Sequence, residues 1–155
     1  MPNRTIAPNI KDAIEFNIPL QPCTRFNLSS GAPVYYINDG AEEVAMVEFV
    51  FNAGNWYEAK TGIASAVNHL IKNGTSKRTA FEITEYFEYY GAYLNRSCFN
   101  ETATITLHCL SKHLKDLLPV IRELITESIF PQNEIEIYQT NSIQRLSVNL
   151  LKCDS

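Results

Sequence analysis

Ser65, Asn68, His69 and Lys72 recur at i, i+3, i+4 and i+7, so they form one stripe if residues 62–73 are helical. Only His69 among them is a good metal ligand or proton carrier at neutral pH. A serine hydroxyl is a poor metal ligand, and the Asn68 carboxamide cannot accept a proton as a base. Taken alone, the stripe reads as the solvated polar face of an amphipathic helix. His108 and His113 are the other two histidines, and nothing in the spacing places either beside His69. Cys23, Cys98, Cys109 and Cys153 contain no Cys-x-x-Cys pair, which leaves a zinc knuckle or thioredoxin-like motif unsupported and predicts reduced thiols. Asn-x-Ser/Thr sequons at Asn3, Asn27, Asn73, Asn95 and Asn100 carry meaning only in a secretory context.

The whole-chain numbers narrow the classes. A chain of 155 residues with 45 % hydrophobic and 19 % charged residues has a globular composition. Its net charge of −4 and its lack of a basic face argue against nucleic-acid binding. The cluster Tyr86, Phe87, Tyr89, Tyr90 sits among Glu82, Glu85 and Glu88, so core packing is expected of it rather than base stacking. No apolar run approaches the ~20 residues of a membrane span. The N-terminus lacks a basic-then-apolar signal pattern, which leads to a cytoplasmic expectation, with a periplasmic location open where the N-terminus has been processed.

The elements that must position the stripe follow from periodicity. Residues 1–25, punctuated by Pro2, Pro8, Pro19 and Pro22, read as an irregular arm, and 26–155 as one domain. Val34–Ile37, the turn Asn38-Asp39-Gly40 and Val44–Asn52 read as an antiparallel hairpin. Ile63, Ala66, Val67, Leu70 and Ile71 have helical spacing and stop at Asn73-Gly74. Thr79 and Glu82 form a capping box for a helix that ends at Gly91. Ala92–Cys98 and Thr102–Leu110 read as a second antiparallel pair. Asp116 is placed to cap a helix from Leu117 with Pro119 in its first turn, and Pro131 to open a last helix from Gln132 to Lys152. The pattern is α+β: an antiparallel sheet with helices packed mainly on one face.

Three pieces in order carry a resemblance. The first is Phe51-Asn52-Ala53-Gly54-Asn55-Trp56-Tyr57-Glu58, then Gly62 to Gly74-Thr75. The second is Tyr90-Gly91-Ala92-Tyr93-Leu94-Asn95-Arg96-Ser97, then Thr102–Thr106. The third is Phe130-Pro131-Gln132-Asn133-Glu134-Ile135-Glu136. Together, over Leu28–Lys152, the chain resembles the insulinase/pitrilysin zinc peptidases, the inverzincins.

Active members of that family carry His-x-x-Glu-His on the first helix, with a glutamate from the last helix as third zinc ligand. The resemblance puts Ser65 at the first histidine, Asn68 at the base and His69 at the second histidine. It puts Tyr138 at an auxiliary glutamate and Arg145 at the zinc-binding one, or Gln144 or Leu146 if the alignment slips by one. None supplies a carboxylate, so zinc is not expected here and no catalytic or metal residue is assigned. Tyr93, Leu94, Asn95, Arg96 and Ser97 match the family's substrate-pairing edge strand, where pairing uses main-chain groups.

The resemblance implies a non-catalytic homologue of the inactive sister-subunit kind, which binds an extended peptide or a partner chain. Its partners would be a second copy or an active peptidase subunit. The competing readings are a zinc metalloendopeptidase with an unconventional site and a structural fragment without binding function. Family domains continue past the last helix, so 26–155 reads as a domain truncated at its C-terminus.

Overall fold

A computed structural model describes residues 21–152, in two units that divide between Ala41 and Glu42. Residues 1–20 of the expected arm, and Cys153, lie outside the described residues. The first unit holds β1 (Thr24–Asn27) and β2 (Pro33–Tyr36), paired antiparallel from Thr24↔Tyr36 to Asn27↔Pro33. Thr24 and Arg25, assigned to the arm by their proline-rich surroundings, are thus strand residues. Pro33 opens its strand, where a missing N–H is tolerated.

The second unit is built on β3 (Val44–Phe51), β4 (Tyr93–Cys98) and β5 (Ala103–Leu110), in the order β3-β5-β4, all antiparallel. Of the two segments expected to form a hairpin, β2 pairs with β1 within the first unit and β3 with β5 within the second. The β3–β5 pairing follows from its register. Ala45, Val47, Phe49 and Phe51 stand opposite Cys109, Leu107, Ile105 and Ala103, so apolar residues share one face across the ladder. The Asn38-Asp39-Gly40 turn signal is local and carries no such information. The expected pairing of the other two strands holds, with Tyr93↔His108 and Arg96↔Ile105.

Helices α1 (Ile63–Leu70), α2 (Ala80–Tyr89), α3 (Leu114–Glu127) and α4 (Gln132–Lys152) complete an α+β fold. The core joins Ile83 and Phe87 of α2, Leu107 and Cys109 of β5, and Leu117, Val120, Ile121 and Leu124 of α3. Burial of each large aliphatic side chain there stabilises the fold by about 1.5–3 kcal/mol. The Thr79–Glu82 capping box forms in both directions, at 3.3 Å and 2.8 Å. Helix α3 starts a turn earlier than Asp116 and Pro119 suggest, since Leu114 extends its apolar stripe onto the core. Pro119 therefore lies inside the helix, on its exposed side, where the freed Lys115 carbonyl can reach water. Helix α4 spans the expected residues and buries none of them. No helix of the described residues is long and apolar enough to cross a membrane.

Candidate functional site

Helix α1 is held at both ends by side chains from outside it. Glu58 caps its N-terminus, its two carboxylate oxygens accepting from Gly62 N and Ala64 N at 2.8 Å each. The segment before it is pinned to the β4–β5 connection by Asn55 N to Phe99 O and Trp56 N to Asn100 O, both 2.9 Å. That approach requires Gly54, because a Cβ there would lie 2.4 Å from the Phe99 carbonyl oxygen. After α1 the chain turns at Gly74, whose φ of 140° lies in the region that disfavours side chains. Thr75 then accepts from Lys77 and Arg78 N–H and donates to the buried Glu123 carboxylate of α3, which also pairs with Arg78.

With α1 fixed in this way, Ser65, Asn68 and His69 meet Arg96 and Cys98 of β4 and Tyr138 and Arg145 of α4 around one cavity of about 190 Å³. All five residues that the resemblance singles out as motif positions line it. Gln144 and Leu146, the positions one residue to either side of Arg145, line neither this cavity nor the adjoining one of about 210 Å³.

The stripe is only partly solvated: His69 is exposed, Ser65 and Lys72 are half-buried, and Asn68 is buried. Asn68 is only 8 % exposed, and its Nδ2 donates to the Thr104 carbonyl of β5 at 3.3 Å. The amide thereby anchors α1 to the sheet. Ser65 is half-buried and donates to Asn55 Oδ1 at 3.4 Å, as does the Cys98 thiol at the same distance. The Asn55 and Cys98 contributions were not legible in the spacing of the stripe, since both come from other segments. Among the described residues, no three His, Cys, Asp or Glu side chains come together in a metal-holding group. His108 lies at the far end of β5, against the Tyr93 ring at 6.2 Å, and His113 lies against Tyr90 at 5.0 Å.

The electrostatics of the cavity are positive. Burial lowers the His69 pKa below its ordinary value, and the charges of Arg96, Lys72 and Arg145 lower it further. Lys72 is likewise lowered, by burial and then by Arg96. The His69 ring lies against Tyr138, centroids 5.0 Å apart. Arg96 donates from Nη1 to the His69 main-chain carbonyl, while its buried Nε has no acceptor.

Strand β4, which carries Tyr93 to Ser97, is an edge of its sheet, bonded only to β5 among the described residues. Strand alternation puts Leu94 and Arg96 on the helix-bearing face, and Tyr93, Asn95 and Ser97 on the other.

This architecture matches known proteins. The model of the insulinase family, peptidase family M16, matches residues 33–151. An "uncharacterized zinc protease" of Rickettsia felis is 28% identical over 115 residues, covering 71% of this chain and 28% of that protein. A second, from Bacillus subtilis, is 24% identical over 114 residues, covering 72% and 28%. The crystal structure of a peptidase M16 inactive domain from Pseudomonas fluorescens superposes with a TM-score of 0.73 at 19% identity, over 77% of this chain and 30% of that one. A protease from Helicobacter pylori gives a TM-score of 0.67 at 20% identity, over 74% and 28%. The chain thus spans less than a third of the length of these relatives. With its family match extending from residue 33 to 151, this chain belongs to the insulinase family of peptidases, M16.

Proposed function

We propose that the chain is a non-catalytic insulinase-family module, which binds an extended polypeptide along β4 and works within a larger assembly. One observation carries the reading. The residues that the resemblance puts at the family's ligand, base and auxiliary positions line a single cavity, and they are a serine, an asparagine, a histidine, a tyrosine and an arginine.

Catalytic zinc needs three protein ligands and an open position for water, together with a group to take the water's proton. His69 is the one good ligand at those positions. Arg96 and Arg145 would repel a dication, and Asn68 spends its amide on Thr104. This donor set does not fit zinc. The inactive-domain structure from Pseudomonas fluorescens supports the idea that this fold is kept without its chemistry.

The binding part of the proposal is supported by the free edge of β4, whose main-chain groups can pair with a partner strand whatever its side chains. The assembly part is supported by the apolar side chains left exposed along α4, among them Ile143, Leu146 and Leu150. Covering these is the work of a second copy, an active peptidase subunit or more chain.

Two measurements on the purified chain test the proposal. Metal analysis and a quenched-fluorescence peptide assay should find substoichiometric zinc and no cleavage. A varied set of extended peptides should include some that shift the backbone amide resonances of Tyr93–Ser97. Stoichiometric zinc with cleavage abolished by His69→Ala would replace the proposal with a working peptidase. Silence from every peptide would leave a structural fragment.

A further inference from the structure

The cation cluster is unusual because no ion pair among the described residues offsets it. Arg96 comes from β4, Arg145 from α4 and Lys72 from the turn after α1, and all three act on His69. The ion pairs among the described residues are Lys77–Glu127 and Arg78–Glu123, both elsewhere. The carboxylate that approaches the cluster, Glu134 in the adjoining cavity, is engaged by Asn73 Nδ2 at 2.7 Å. Converging cations without a counter-charge raise one another's energy.

Arg96 has an ordinary structural use, since it caps the C-terminal end of α1 through Nη1. That use leaves Nε buried and without an acceptor, a cost that most native donors avoid. The uncompensated charge of Arg96 and Arg145 at one cavity has a remedy, an anion with more than one acceptor oxygen.

We propose that the cavity between α1, β4 and α4 binds a carboxylate, presented by an acidic side chain of an extended polypeptide lying along β4. At about 190 Å³ the cavity is smaller than the ~300–1,000 Å³ of a drug-sized ligand site and suits a side-chain group. Arg96 supplies the register. It points to the helix-bearing face from within the pairing strand, and alternate side chains of a strand paired to β4 point the same way. The site would thus select one acidic position in the bound segment, where active relatives hold a metal cation. This specificity rests on the edge-pairing reading above, whereas the affinity for a carboxylate does not.

The test separates the two. The labelled full chain is titrated with sodium acetate against sodium chloride at equal ionic strength, with the Arg96 and Arg145 Nε–H and His69 imidazole resonances as readout. It is then titrated with acetyl-Val-Thr-Glu-Val-Thr-amide and with the peptide in which glutamine replaces glutamate, with the amides of Tyr93–Ser97 as readout. Acetate should shift the three side chains where chloride does not. The glutamate peptide should bind roughly tenfold tighter than the glutamine peptide, and Arg145→Ala should bring that ratio close to one. Arg145 is exposed on a helix that buries no side chain, so its replacement leaves the fold intact. Equal binding of the two peptides, with acetate no different from chloride, overturns the carboxylate site and spares edge pairing. An acetate response without binding of either peptide supports the site and overturns edge pairing. No response in either arm overturns both.

Discussion

The guanidinium of Arg96 donates to the main-chain carbonyl of His69, tying the middle of β4 to the C-terminal turn of α1. The bond joins the candidate binding strand to the helix that carries Ser65, Asn68 and His69. Its removal should therefore loosen both. Arg96→Ala should lower unfolding stability by about 1–2 kcal/mol, and Arg96→Met by less, because methionine keeps the apolar stem while removing the buried charge. Urea denaturation of the two variants measures the difference. Equal stability of all three proteins would show that the bond contributes nothing.

Acid should act on the site through His69. Its folded pKa lies below the ordinary value, chiefly from burial and then from Arg96, Lys72 and Arg145. The unfolded chain thus takes up this proton first as the pH falls. Stability attributable to His69 is full above about pH 6.5 and declines as the pH drops from there through the folded pKa. Urea midpoints of the native chain and of His69→Gln, followed from neutral to mildly acidic pH, should diverge, with the native chain losing more. Arg145→Ala should raise the imidazole pKa in an NMR titration.

If the family register is right, the metal site is recoverable by substitution. Ser65→His places a second imidazole one turn from His69, and Arg145→Glu replaces a cavity-lining cation by a carboxylate. The double variant should bind about one zinc per chain in competition with a chelating dye, and should still fail to cleave peptides while Asn68 remains. No gain in zinc affinity would mean that these positions do not correspond.

The buried Glu123 should be the costliest ionic site to disturb. It is held by Thr75 and Arg78, which fasten the chain after α1 to α3. Arg78→Ala leaves an uncompensated buried carboxylate and should destabilise by roughly 3 kcal/mol, whereas Glu123→Gln with Arg78→Met should cost less than Arg78→Ala alone. Thermal unfolding of these variants ranks them.

Legibility in the sequence followed range. Helix α2 was readable from Thr79 and Glu82, and the span of α4 from Pro131, because capping and proline chemistry act within a turn. The stripe Ser65, Asn68, His69 shares one helix side because periodicity is local as well. The pairing of β3 with β5 is not legible from the Asn-Asp-Gly signal, because such a turn looks the same whichever strands it separates. Pro119 misplaced the start of α3, since the pull of Leu114 towards the core is a tertiary effect. Asn68 gave no sign of burial, because its acceptor, Thr104, is on β5. The cation cluster was hidden for the same reason: Lys72, Arg96 and Arg145 are read as separate charges until α1, β4 and α4 come together.

Helix α4 carries Arg145 into the cavity yet buries none of its own side chains. In the proposed assembly, a partner covering the apolar side of α4 would steady the helix and, with it, the cavity's charge. The two equilibria are therefore linked. A partner that clasps α4 would then raise the affinity for the proposed anion beside α1, and the anion would raise the affinity for that partner by the same factor. In that sense Arg145 would report, from one surface of the molecule to another, that the proposed assembly is complete.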